Sequence, residues 1–113
     1  MARNPQIPRL QVRADFLRAA AARKAAQPGL VLQARAMPGS PLRLGFTVTK
    51  KVGNAVVRNR ARRRLRAAAD AVLREAPPPG WDLVLIGRAG TLDRPFTLLC
   101  DDLRQAMART GVA

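Results

Sequence analysis

The sequence predicts an α+β fold: a two-layer α/β sandwich with three helices on a small mixed sheet, in the order α-β-β-α-β-α. Three observations carry this. Apolar residues recur at the helical period in three stretches, near the start, in the middle and near the end of the chain. Between the first and second of these, two stretches alternate apolar and polar side chains, the period of a strand. A short run after Pro79-Gly80, Leu83-Val84-Leu85-Ile86, is apolar throughout, which suits a central strand covered on both faces. With 113 residues and 48% apolar content, the chain suffices for one domain, spanning residues 1–113, with one core.

Residues 1–9 read as a flexible basic arm, because Pro5 and Pro8 oppose helix. Residues 10–26 are rich in Ala, Arg and Leu and predict a helix, with a main stripe of Leu10, Ala14, Leu17 and Ala21. Phe16 lies off that stripe, in a second apolar patch with Val12, Ala19 and Ala20. Gln27-Pro28-Gly29 ends the helix. A strand follows over 30–37, with Leu30, Leu32, Ala34 and Ala36 facing one way and Val31, Gln33, Arg35 and Met37 the other. Pro38-Gly39-Ser40-Pro41 turns the chain into a strand over 42–49, with Leu42, Leu44, Phe46 and Val48 opposite Arg43, Gly45, Thr47 and Thr49. The short turn predicts that these two strands pair antiparallel. Their outer face is polar and basic.

Asn54, after Gly53, predicts the N-cap of the central helix. Its apolar stripe is Val57, Ala61, Leu65, Ala68 and Val72, with Asn59, Arg60, Arg63 and Arg66 opposite and Arg58, Arg62 and Arg64 flanking. Pro77-Pro78-Pro79-Gly80 stops it, and a strand is expected over 81–88, parallel to the strand before the helix. Thr91 and Pro95 read as the cap and first turn of a last helix over 96–110, striped by Phe96, Leu99, Cys100, Leu103, Ala106 and Met107. Cys100 sits on that stripe, so its role is packing.

Charge points outward from this frame. The net charge is +14, and no acid occurs between Asp15 and Asp70. Lys50 to Arg66 holds eight basic residues, three pairs of which repel one another at i,i+4. A helix selected only for stability would mix signs, so an external polyanion is implied. Arg dominates over Lys, which suits bidentate contact with phosphate. A membrane is the competing polyanion, but no apolar run approaches the roughly 20 residues of a spanning helix. The start of the chain lacks an apolar signal core and the only cysteine cannot form an internal disulfide, so a cytoplasmic location is expected.

Catalysis by the polypeptide itself is not expected. With no His, neither a Cys/His zinc site nor a His general base can be built, and the seven acids are scattered too thinly for a two-metal nuclease. Neither catalytic nor metal-ligating residues are therefore assigned.

The segment Lys50-Lys51-Val52-Gly53-Asn54, continued by Arg58-Asn59-Arg60 and Arg62-Arg63, resembles the signature of the bacterial ribonuclease P protein subunit. The resemblance implies a left-handed β-α-β crossover, against the usual right-handed rule. It implies a partner that is a catalytic RNA, which with Mg²⁺ held by RNA and substrate removes the 5′ leader of precursor tRNA. The protein would be a monomer in a 1:1 ribonucleoprotein. Lys50, Lys51, Asn54, Arg58, Asn59, Arg60, Arg62, Arg63 and Arg66 would contact that RNA. Phe16, Val31, Gln33 and Arg88 fall at positions of the family's leader groove. Some relatives carry aromatics where this chain has Ala20 and Gln33, so less of the leader's affinity would come from stacking here. The alternative reading is a ribosomal or RNA-assembly protein that binds structured RNA and assists no catalysis.

Overall fold

Leu83, Val84 and Leu85, each at most 1% exposed, set the arrangement of the sheet. They belong to β4 (Trp81–Gly87), and such a run needs cover on both faces and both edges. In the computed structural model, which describes residues 7–74 and 76–112, β4 lies between β2 (Leu30–Ala36) and β3 (Arg43–Thr47). It pairs antiparallel with β2 and, as expected, parallel with β3. The expected antiparallel pairing of β2 with β3 is therefore corrected: the two never meet. Their linker spans one end of β4, pinned by the Met37 amide donating to the Gly80 carbonyl at 2.7 Å and the Gly80 amide to that of Ser40 at 2.8 Å. Gly39 and Gly80, both at φ +84, make the turns this crossing needs.

The expected helix over 10–26 is also corrected. Only α1 (Arg13–Ala20) is helical, and β1 (Arg23–Ala26) is a fourth strand on the outer edge of β2. Ala, Arg and Lys favour helix by a few tenths of a kcal/mol each. That preference loses to covering an open sheet edge and burying Ala25, which is 2% exposed. The helix is also turned differently: Leu17 is 56% exposed, while Ala19 and half-buried Phe16 face the sheet. Leu10 precedes the helix and pairs with the other edge, its amide donating to the Leu44 carbonyl at 2.8 Å. Residues 7–9 of the expected arm are thus partly tied to the sheet, and 1–6 lie outside the described residues.

The mixed sheet with α2 (Ala55–Leu73) and α4 (Phe96–Thr110) on one face gives the expected sandwich. Ala61, Leu65 and Ala68 of α2 and Leu99, Leu103 and Ala106 of α4 close on Leu30, Leu32, Leu83 and Leu85. Cys100 is buried among them, and that burial pushes its thiol up. A short α3 (Ala89–Asp93) intervenes before α4, and Pro95 is the N-cap of α4. The expectation that Thr91 begins the last helix is corrected: it is buried, and its hydroxyl donates to the Gly29 carbonyl at 2.6 Å. Phe96 is corrected too, at 41% exposed, because it stands in the first turn, beyond the sheet's cover.

Candidate nucleic-acid interface

The sheet face turned away from α2 and α4 is built in rows across the strands. Arg35, Asp82 and Arg43 form the first, Lys24, Gln33, Val84 and Gly45 the second, and Ala26, Val31, Ile86 and Thr47 the third. In the first row the charges cancel. Asp82, fully buried, accepts from Nε and Nη2 of Arg43 at 2.8 and 2.7 Å, with Arg35 at 3.8 Å. Asp15 of α1 reaches Arg43 from above at 3.4 Å. Donating to Asp82 pushes the Arg43 guanidinium further up, and both arginines on this basic outer face are already engaged with carboxylates.

Helix α1 covers the second row. Phe16 lies over Gly45, where a Cβ would stand 2.6 Å from the ring, so only glycine lets the ring settle there. Gln33, assigned to the groove by the resemblance, is buried at 8% exposed on the strand against which α1 packs. The third row stays half-open: Val31, Ile86 and Thr47 are half-buried, and Ile86 packs on the same small cluster as Phe16. Arg88 follows β4, exposed, its Nη1 donating to the Gln27 carbonyl at 2.8 Å.

The basic helix begins as the sequence predicts. Asn54 Oδ1 accepts from the Val57 amide at 3.0 Å, and Gly53 has no room for a Cβ, which would stand 2.7 Å from Val57. Lys50 and Lys51 are exposed in the turn before it. Along α2 the arginines divide into three groups. Arg60, Arg63 and Arg66 are exposed with Asn59. Arg58 and Arg62 are half-buried, Arg62 donating to Asn59 Oδ1 at 2.9 Å and Arg58 holding a buried Nε with no hydrogen-bond partner. Arg64 is structural, its guanidinium donating to the carbonyls of Thr91 and Arg94.

Arg62 joins the two surfaces. A hollow of about 480 Å³ is lined by Arg13 and Phe16 from α1, Phe46 and Thr47 from β3, and Arg62 from α2. An aromatic ring that shares a hollow with two arginines suits an unpaired base and its phosphate. Sequence reasoning treated the leader groove and the Arg comb as separate sites and missed that Arg62 and Arg13 line one hollow with Phe16. It also missed Lys24, which stands exposed on the unpredicted strand at the edge of the same face. Among the described residues, no three His, Cys, Asp or Glu side chains come together as metal ligands, and no helix is long and apolar enough to cross a membrane.

Known proteins resemble the chain in sequence and in fold. The profile of the family described as Ribonuclease P matches residues 5–111. A ribonuclease P protein component from Gluconacetobacter diazotrophicus is 59% identical over 106 residues, covering 92% of this chain and 91% of that protein. One from Paramagnetospirillum magneticum is 54% identical over 112 residues, covering 94% and 84%. Among solved structures, the Staphylococcus aureus RNase P protein is similar with a TM-score of 0.76 at 25% identity, over 95% of this chain and 98% of that one. The Thermotoga maritima protein follows at 0.69 and 28%, over 86% and 92%.

Proposed function

The chain belongs to the ribonuclease P protein family, and from that premise we propose that it binds a catalytic RNA and the 5′ leader of precursor tRNA. It assists endonucleolytic removal of the leader, with catalysis residing in the RNA. The ribonucleoprotein is 1:1 and cytoplasmic. The observation that carries this reading is the shared hollow, lined by both Arg62 of the basic helix and Phe16 of α1. A single strand leaving the RNA face of α2 enters the groove without crossing an acidic surface. Lewis-acid stabilisation of the phosphodiester oxygens would come from Mg²⁺ held by the RNA and substrate, to which the residues named here contribute no ligand. The protein's part is to neutralise phosphates with Arg60, Arg63 and Arg66 and to fix the strand with Phe16, Val31 and Arg88.

Two experiments test the two halves of this reading. Arg60→Ala and Arg63→Ala should weaken binding to the catalytic RNA while thermal unfolding stays normal. Each lost phosphate contact lowers the slope of log K against log[salt] by up to about one. Unchanged affinity and slope in both variants rule out this face of α2. Phe16→Ala tests the groove. Stacking contributes roughly 1–3 kcal/mol per base, so the holoenzyme should lose about 5- to 150-fold in affinity for leader-bearing precursor tRNA and little for mature tRNA. Equal loss for both RNAs removes the ring from the leader path. Because Phe16 is only half-buried, its stability loss should stay below the roughly 3–5 kcal/mol of a core Phe→Ala change.

A further inference from the structure

Phe46 lines the hollow that holds Phe16 and Arg62, and also a second one, of about 380 Å³, lined by Leu44, Arg66 and Ala67. It stands on the edge strand β3, pairs with Leu85 and packs half-buried against the core. Two guanidinium groups lie over its ring, Arg9 at 5.0 Å and Arg66 at 5.8 Å from the centroid. Within about 6 Å a cation is attracted by the quadrupole of the ring. Arg9 comes from the stretch that bridges to Leu44 on the outer edge of β3. Arg66 comes from the exposed side of α2, with Arg60 and Arg63. The arginines of α2 are thus held in different ways: Arg62 by Asn59 Oδ1, Arg64 by two carbonyls and Arg66 by a ring.

We propose that Phe46 is a positioning residue for the RNA interface: its ring holds the Arg66 guanidinium where it meets a phosphate of the catalytic RNA. This role rests on the reading of α2 as the RNA face. An unrestrained arginine samples many rotamers and gives up that freedom when it binds a phosphate. A guanidinium settled on a ring has given it up during folding. The contact also spares the donors. A phenyl ring has no lone pair, so the N–H groups of the fork keep their capacity for phosphate oxygens. Asp70, one turn further along α2 and lining the same hollow, is the rival anchor for Arg66. A carboxylate there would hold the side chain by offsetting the charge that a phosphate needs, whereas the ring leaves that charge in place.

The test is a double-mutant cycle on binding of the full-length protein to the catalytic RNA, each affinity measured across a salt series. Phe46→Leu keeps an apolar side chain and removes the ring. It should weaken binding about two- to tenfold, the cost of ordering one long side chain on association. The salt slope should stay unchanged, because the Arg66 charge remains. Arg66→Ala should weaken binding and lower the slope by up to about one. In the Arg66→Ala background, Phe46→Leu should cost nothing further. Phe46→Tyr restores a ring and should bind like the parent. In the protein without RNA, the Arg66 side-chain proton resonances should carry an upfield ring-current shift and lose it in Phe46→Leu. A merely structural role for Phe46 would weaken binding equally with or without Arg66, so additive losses overturn the proposal. Parent-like binding by Phe46→Leu, or no recovery in Phe46→Tyr, overturns it as well, as does release of Arg66 by Asp70→Asn and not by Phe46→Leu. In each of these cases a damaging Arg66→Ala leaves α2 as the RNA face. Neutral Arg60→Ala, Arg63→Ala and Arg66→Ala together overturn that reading and this role with it.

Discussion

Replacement of Asp82 by alanine is expected to lower the unfolding free energy by about 3–5 kcal/mol, the range for removing one partner of a buried ion pair. Asp82 has no exposed surface and accepts two hydrogen bonds from Arg43, with Arg35 at 3.8 Å on its other side. Its removal leaves two guanidinium groups side by side on the sheet, with only Asp15 at 3.4 Å from Arg43 to offset them. Both arginine side chains keep 26% of their surface in water, so part of the repulsion relaxes outward and the lower half of the range is expected. Urea unfolding of Asp82→Ala and of Asp82→Ala combined with Arg43→Leu resolves the cause. The second change should recover part of the loss, because it removes the stranded charge. No recovery, or a single variant as stable as the parent, would show that the row is not held by this charge pair.

The same row marks the boundary of what the sequence made legible. Arg35 and Arg43 read as a basic outer face because Asp82 lies some forty positions away from them, on a strand whose neighbours periodicity cannot name. Elements whose reasons are local were readable: the Asn54 cap, the Ala61-Leu65-Ala68 stripe, the limits of α4, and Leu83 to Leu85 as a two-sided strand. Those decided by distant partners were not. Arg23–Ala26 is helix-favouring by composition and becomes a strand because β2 has an open edge. The side of α1 that faces the sheet is chosen by Gly45, whose missing side chain admits Phe16. A glycine in mid-strand is a local sign of close approach, and it was the one available clue to how the helix is turned. For the interface, residue types on α2 identified a phosphate-binding comb, but the division of labour within it depends on tertiary partners. Arg64 looks like its neighbours in sequence and differs only because the carbonyls of Thr91 and Arg94 stand within its reach.

Those carbonyls belong to a network whose centre is Asp102, and Asp102→Ala is expected to be as damaging as Asp82→Ala, at about 3–5 kcal/mol. Asp102 is 2% exposed, whereas its neighbour Asp101 lies in water with 53% of its side chain exposed. One Asp102 oxygen accepts from the Gly29 amide at 3.0 Å and from Arg94 Nε at 2.9 Å, and the other from Arg94 Nη2 at 3.1 Å. Alanine leaves the Gly29 amide unpaired and Arg94 without its counter-charge. The damage extends along the chain of contacts. Gly29 sits in the turn between β1 and β2 and accepts from Thr91, whose hydroxyl takes the Arg88 amide at 2.8 Å. The Arg94 and Thr91 carbonyls anchor Arg64 of the basic helix. Asp102→Asn keeps the shape and one good acceptor, so an intermediate loss is expected. Asp101→Ala removes only an exposed pair with Arg104 at 3.0 Å and should change stability by no more than about 0.5 kcal/mol. Thermal and denaturant unfolding of the three variants in one buffer gives the ranking directly. If Asp102→Ala proves as mild as Asp101→Ala, the network is not what fastens the β1–β2 turn and Arg64 to the rest of the fold.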